Sequence, residues 1–301
     1  MKLYAPNYYK NFQCIADRCR HSCCIGWEID VDETTMQKYA ALTDPYADRI
    51  RESIDKDGTP HFRLLTGERC PHLDERGLCR IILSCGEDIL CDICREHPRF
   101  YNDTFYGREV GLGMACEEAC RLILSSNDYA DVIEVGDAPG EPWAEWDTTA
   151  IRKSLYAVLG NESEPYERRL QSIYDAVAVT PSLLSDEEWH ARLDSLEYLD
   201  DTHRSLFSSY TSELTTPQGV EKILERALAY FIYRHCTEAQ DETDYRAALG
   251  FCFFCERLLA SMVAKNNSMD VLELARVLSE EIEYSEDNTA TIKAIFEELI
   301  G

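Results

Sequence analysis

The stretch from Cys14 to Cys120 constrains this chain more than any other feature. Eleven of the fourteen cysteines lie in it, four of them in the knot Cys14-x4-Cys19-x3-Cys23-Cys24. Only Cys236, Cys252 and Cys255 fall outside. Thiols this dense in a 301-residue chain hold something: a metal ion, an iron–sulfur cluster or a set of disulfides. The start, Met1-Lys2-Leu3-Tyr4-Ala5-Pro6, has no apolar run of the signal-peptide kind, and no stretch approaches ~18 uninterrupted apolar residues. The expectation is a cytoplasmic protein with no transmembrane helix. Thiols stay reduced in that compartment, which favours metal or cluster binding over disulfides. A chain of this length can also stabilise itself by burial without covalent staples.

Charge is the second constraint. Thirty basic residues stand against fifty-six acidic ones, a formal net charge of −26. Residues 1–124 account for −5 of it and the remainder for −21. Such a field repels nucleic acid and anionic membrane and attracts cationic partners. Most of these carboxylates are a solvated surface.

Composition and periodicity predict a mainly α protein: a cysteine-rich, loop-rich N-terminal metal- or cluster-binding domain (1–130), a linker (131–149) and an all-helical C-terminal domain (150–301). Residues 1–12 read as an extended lead-in. Gly26–Asp32 alternates apolar and acidic residues as a strand does. Asp32-Glu33-Thr34-Thr35 resembles a helix start, and 36–56 a helical pair broken at Asp44-Pro45. From Thr59 to Asn102 the chain is turn-rich and carries Cys70, Cys79, Cys85 and Cys91-x2-Cys94. Loops of this kind lack enough core to stand alone, and a bound metal would supply the missing stability. Residues 113–126 read as a helix with Cys116 and Cys120 on one face. Val135–Pro142 reads as the linker proper.

Beyond it the pattern is helical. Ser185-Asp186-Glu187-Glu188 fits a capping box, and Thr216-Pro217 places an N-cap before a first-turn proline. Val220 to Ile232 carries one apolar stripe, and 243–264 is apolar nearly all round, as a central buried helix should be. Two amphipathic segments begin near Ser268 and Asp287. Cys236, Cys252 and Cys255 read as core.

A structural zinc site needs four ligands, often with a Cys-x2–4-Cys pair, and Cys91-x2-Cys94 and Cys116-x3-Cys120 both qualify. An iron–sulfur cluster also takes four thiolates, with looser spacing. The side chains of Cys23 and Cys24 diverge, so they serve two sites or one of them is packing. Spacing alone leaves zinc and iron–sulfur equally open, and one centre or two. The signature Cys-x3-Cys-x2-Cys of radical S-adenosylmethionine proteins is not completed: Gly26 follows Cys19-x3-Cys23, and Ile123 follows Cys116-x3-Cys120.

Several uncommon motifs in order resemble the flagellin lysine N-methylases, within a wider set of proteins with a zinc- or iron-chelating cysteine domain. They are Phe12-x-Cys14-x4-Cys19-x3-Cys23-Cys24-x-Gly26-Trp27, Cys70-Pro71-x-Leu73, Gly77-Leu78-Cys79-x-Ile81 and Leu90-x3-Cys94-x2-His97-Pro98-Arg99. Cys116-Glu117 extends the match, and Leu228–His235 adds to it. The resemblance implies methyl transfer from S-adenosylmethionine to flagellin lysines by a protein carrying an iron–sulfur cluster, of the 4Fe–4S type. It nominates Cys14, Cys19, Cys23, Cys24, Cys70, Cys79, Cys94 and Cys116 as the set from which four ligands come. Cys85, Cys91 and Cys120 fall outside it, as extra ligands or packing.

Amine methylation needs a neutral lysine and a proton acceptor. No Gly-rich donor loop is visible; Gly111-x-Gly113 follows no strand–helix unit. Arg95, His97 and Arg99 could bind a donor carboxylate or orient a cluster ligand, or simply pair with the surplus acids. Tyr230 and Tyr233 read as packing residues. The acidic C-terminal half suits attraction of a lysine-bearing surface. Two other classes stay in view: a metal-sensing or metal-storing module without methyl chemistry, and a scaffold stapled by zinc.

Overall fold

A computed structural model describes residues 1–142, 146–213 and 216–300. The protein is mainly α, with about 53% of residues helical, thirteen α-helices and a small sheet among the described residues. The backbone divides into two compact units: Gln13–Arg99, and Met1–Phe12 together with Phe100–Gly301.

The larger unit is built around helix Glu242–Lys265, whose residues from Ala247 to Met262 are all buried. A 24-residue apolar helix is long enough to cross a membrane, but here 89% of its most apolar window is covered by the protein's own core. Asp241 starts it by accepting a hydrogen bond from the Asp244 N–H at 2.9 Å. At Gly250 the ring of Phe296 lies so close that a Cβ would sit 2.2 Å from Phe296 Cδ1. That glycine is what lets helix Glu286–Ile300 pack closely. Trp189 joins the same core, its ring 4.4 Å from that of Phe254. Its helix, Asp186–Ser195, opens on the capping box expected at Ser185 and Glu188.

Helix Glu221–His235 buries the stripe Leu224, Ala227, Leu228, Phe231 and Ile232 as its spacing requires. It does not start at Thr216-Pro217. Gly219 adopts a left-handed φ of +87°, which interrupts helical geometry. The chain begins again at Glu221, whose carboxylate reaches back to the Gly219 N–H at 2.8 Å. Near the C-terminus, helix Val271–Leu278 runs into a π-helical turn, Ser279–Glu283, before the last helix. Cys236, Cys252 and Cys255 are core, with 3.6 Å between the sulfurs of Cys236 and Cys252.

Residues 1–12 and 100–137 enter this unit through a sheet. Strand Lys2–Pro6 runs parallel to Arg108–Leu112 and antiparallel to Val132–Asp137, and Arg99–Asp103 completes the order at the far edge. The stretch 131–149 is therefore partly sheet: alternation through Val132-Ile133-Glu134-Val135 makes an edge strand. Lys2 pairs with its Glu134 and Asp137 at 2.7 and 3.3 Å. Trp143–Glu145 of that stretch lie outside the described residues. A boundary at 130, drawn from composition, does not coincide with this division. Leu112, Met114, Ala119, Ile123 and Leu124 are buried in the same core as helix Glu221–His235.

The smaller unit is loop-rich. Helix Glu33–Ala41 begins where Asp32 predicts, and Ala47–Glu52 follows after the break. Gly26–Asp32 forms no strand, only a single bridge at Asp30, with another just ahead of it at Ile25. Its alternation survives as burial, with Ile29 and Val31 inside. Around them lie Tyr39, Ile50, Ile54, Phe62, Leu73, Ile81 and Leu90, and the same core takes in Cys70 and Cys91.

Candidate metal centre

A turn brings the first two distant cysteines of the smaller unit together. In Asp74-Glu75-Arg76-Gly77, the Asp74 side chain accepts from the N–H groups of Arg76 and Leu78, both at 2.8 Å. Gly77 supplies the left-handed φ of +78° that closes the turn. The chain returns on itself, Leu73 bridging to Cys79 and the Arg80 N–H reaching the His72 carbonyl at 2.8 Å. Cys70 and Cys79 thus face one region from the two arms of one loop. The knot is laid onto that loop by the backbone: Cys70 N–H donates to Cys24 O at 2.8 Å and Gly26 N–H to Glu68 O at 3.1 Å.

Helix starts position the rest. Cys79 precedes helix Arg80–Cys85, and Cys91 precedes helix Asp92–Glu96, with Cys94 one turn further on. Asp32 fastens this last helix. One carboxylate oxygen caps Thr35 at 2.8 Å while the other accepts the Asp92 N–H at 3.0 Å. Burial opposes its charge, yet these backbone donors hold its carboxyl below the usual range.

Six sulfurs converge as a result: Cys23, Cys24, Cys70, Cys79, Cys91 and Cys94. Each lies close enough to others of the set for their charges to interact. Two of the pairs are tight. A hydrogen bond from Cys24 lowers the Cys23 thiol to about 7, and the same contact pushes Cys24 up. Cys94 likewise lowers Cys91 and is itself raised. Burial raises Cys70 to about 11 and also raises Cys79. Against burial stand backbone N–H groups aimed at the sulfurs, from His72 onto Cys70, from Ile82 and Ile81 onto Cys79, and from Cys94 onto Cys91. Thiols crowded in this way repel one another once ionised, and donors directed at sulfur favour the thiolate.

A lone tetrahedral zinc ion would set its sulfurs about 3.8 Å apart, given Zn–S near 2.3 Å. Among the described residues no three cysteine sulfurs lie within 4.8 Å of one another.

The remaining nominated residues are placed as follows. Cys14 is exposed and Cys19 half-buried in the same unit. Cys85 is half-buried, and the nearby Asp44 and Cys79 add to the burial that raises it. Cys116 and Cys120 belong to the larger unit. Cys116 precedes helix Glu117–Ser125, and Cys120 is buried with its thiol donating to Leu272 O at 3.4 Å. All fourteen cysteines are free thiols. Arg95 spends its guanidinium on Asp92 and Glu96, and an Arg99 nitrogen donates to the Arg95 carbonyl at 3.3 Å. Burial, with Arg99 beside it, keeps His97 neutral by lowering it to about 4. His72, inside a recognised motif, has both ring nitrogens committed, to Tyr46 at 3.1 Å and Ser53 at 2.9 Å.

Sequence reasoning missed a second cluster, in the larger unit. The guanidinium of Arg234 lies between the rings of Phe100 and Tyr284, 5.0 and 4.9 Å from their centroids. Gly111 and Gly113 make the room: a Cβ would collide with Phe100 at the first and Tyr284 at the second, 2.2 Å away in each case. Contrary to the expectation from sequence, the Gly-x-Gly pair does sit between a strand, Arg108–Leu112, and a helix, Glu117–Ser125, but its space is filled by two rings and is no open phosphate loop. Glu283, on the π turn, accepts from Tyr230 at 3.2 Å and from His235 at 2.7 Å. The Arg-His ending of the Leu228–His235 motif was the available signal; Glu283, 48 residues from His235, carried none.

Comparison with known proteins gives three matches. Two proteins named Lysine-N-methylase, from Salmonella choleraesuis and Salmonella typhimurium, are each 33% identical over 136 residues. Those alignments cover 41% of this chain and 32% of each relative, so the chain matches about a third of their length. A protein named Flagellar biosynthetic protein FliU, from Salmonella muenchen, is 32% identical over 136 residues, covering 41% of this chain and 77% of that one. No family model and no solved structure matches.

Proposed function

The chain belongs to the family of lysine-N-methylases that includes FliU, and on that premise we propose that it methylates lysine side chains of flagellin with S-adenosylmethionine as donor. We further propose that residues 13–99 hold an iron–sulfur cluster. The observation that carries this second part is the convergence of Cys23, Cys24, Cys70, Cys79, Cys91 and Cys94, with backbone donors aimed at their sulfurs. The four ligands come from these six. An iron–sulfur centre takes four thiolates with loose demands on their spacing, which suits ligands drawn from separate loops. When bound, such a cluster supplies one-electron chemistry and ties together loops with little core of their own.

The protein's own contribution to methyl transfer is acceptor handling. A lysine ammonium must be held, shed its proton and meet the donor in a site that excludes water. The acidic surface of the chain favours encounter with a basic partner. Gly111-x-Gly113 is filled by side chains and Arg95 is bound to its neighbours, so neither offers an open seat for the donor.

The test is anaerobic purification with iron, sulfide and zinc analysis, followed by incubation with methyl-labelled donor and flagellin. The expected outcome is iron and sulfide in equal amounts and label on flagellin lysines. Stoichiometric zinc in a colourless protein that transfers no label would overturn the reading.

A further inference from the structure

Within the larger unit, a cleft of about 430 Å³ opens beside the C-terminal end of helix Glu221–His235. Its walls include Asn102, Arg234, His235, Glu238, Glu283 and Lys293. The inner wall offers acceptors whose donors are already used. Asn102, 5% exposed, gives both amide hydrogens to carbonyls, of Arg234 at 3.0 Å and Tyr233 at 3.3 Å. Its Oδ1 has no hydrogen-bond partner among the described residues. His235 directs Nε2 at Glu283, held as a carboxylate by the Arg234 guanidinium and His235 against the cost of burial, so Nε2 carries the hydrogen. Nδ1 is left with a free lone pair and no partner among the described residues.

Charge points the same way. Arg234 faces Glu283 at 3.6 Å, donates to Tyr230 at 2.8 Å and is stacked between two rings, so its charge is spent. Lys293, its amine 5.8 Å from the Phe251 ring centroid, is then the remaining cation among the described residues of walls that also carry Glu238, Asp244 and Glu286. A cleft with uncommitted acceptors on its inner wall and excess carboxylate around it disfavours anions. It matches a compact cation with several N–H donors.

We propose that this cleft binds the ammonium of a substrate lysine side chain, with Asn102 Oδ1, His235 Nδ1 and the Glu238 carboxylate as its acceptors. The identification of the cation as lysine rests on the methylation reading above. The acceptor geometry does not.

The test titrates the full chain with Nα-acetyl-lysine amide, followed by NMR, beside its norleucine counterpart, which has the same chain length without the amine. The lysine probe should bind and the norleucine probe should not. Glu238→Gln should weaken lysine binding about tenfold, the scale of one charge-assisted hydrogen bond. Lys293→Met, which removes the opposing cation, should tighten it. Both substitutions are at the cleft wall, and unchanged melting curves establish that the fold is intact. Asn102→Leu should abolish binding. Equal binding of the two probes, indifference to Glu238→Gln, or displacement of the lysine probe by S-adenosylmethionine at this site overturns the proposal. Flagellin labelling is read separately. Labelling by wild type that persists with unchanged KM in Glu238→Gln sinks the pocket and spares the methylation reading. A chain that binds the lysine probe as described but labels nothing does the reverse.

Discussion

Replacing Asp32 with alanine is the sharpest probe of how the cysteine unit is held. One side chain there serves two helices, capping Thr35 at 2.8 Å and accepting the Asp92 N–H at 3.0 Å. Loss of an N-cap costs about 1 kcal/mol. The second N–H, left without its charged acceptor, adds about 1–1.5 kcal/mol. The expected loss is therefore about 2–2.5 kcal/mol, read as a lower urea midpoint for the transition of residues 13–99 at unchanged slope. Asp32→Asn, which keeps an acceptor for the cap, should lose less than half of that. The pH dependence carries a definite sign. The folded-state carboxyl sits below its ordinary value, so the unfolded chain binds the proton more readily. The stabilisation is present above the unfolded value near 4 and is lost as pH falls through the folded one. The alanine variant should lack that acid-limb loss. A change below about 0.5 kcal/mol, or an identical acid limb, would refute the two-helix account.

Other expectations follow from burial. Gly250→Ala should destabilise the larger unit by about 1–3 kcal/mol, since Phe296 must move, and Phe296→Ala should relieve part of that cost in the double variant. Arg152 and Glu109 form a buried pair with contacts at 2.5 and 2.7 Å, so Arg152→Met should cost about 3–5 kcal/mol by thermal or urea melting. Cys70→Ser and Cys79→Ser should lower bound iron after anaerobic purification, whereas Cys255→Ala, deep in the helical core, should leave it unchanged.

The helical core was legible because its pattern is repetitive. Val220 to Ile232 and 243–264 state their buried faces in every turn, and Ser185 and Asp32 state their caps in one residue. What the sequence hid were contacts between distant segments. Val132–Asp137 reads as linker until Lys2–Pro6 is known to lie beside it. Thr216-Pro217 has the composition of a helix start, but Gly219 overrides it from three residues away. In the candidate site, spacing picked out Cys91-x2-Cys94, while the resemblance nominated Cys14, Cys19, Cys23, Cys24, Cys70, Cys79, Cys94 and Cys116 and held Cys91 in reserve; Cys91 lies beside Cys70, Cys79 and Cys94. Cys116 matched the motif order equally well yet belongs to the other unit. Motif order records sequence, and only the backbone turns at Gly77 and Asp92 decide which thiols meet.

The π turn at Ser279–Glu283 gives the chain a length it cannot easily change. A helix advances about 100° per residue, and a five-residue loop of hydrogen bonding absorbs one extra residue within an otherwise regular path. Deleting a single position, such as Glu280, would restore ordinary winding and swing the carboxylate at 283 away from its histidine. The helices on either side could remain intact while the amine-facing wall disappeared, a defect that melting curves would overlook and a ligand titration would find.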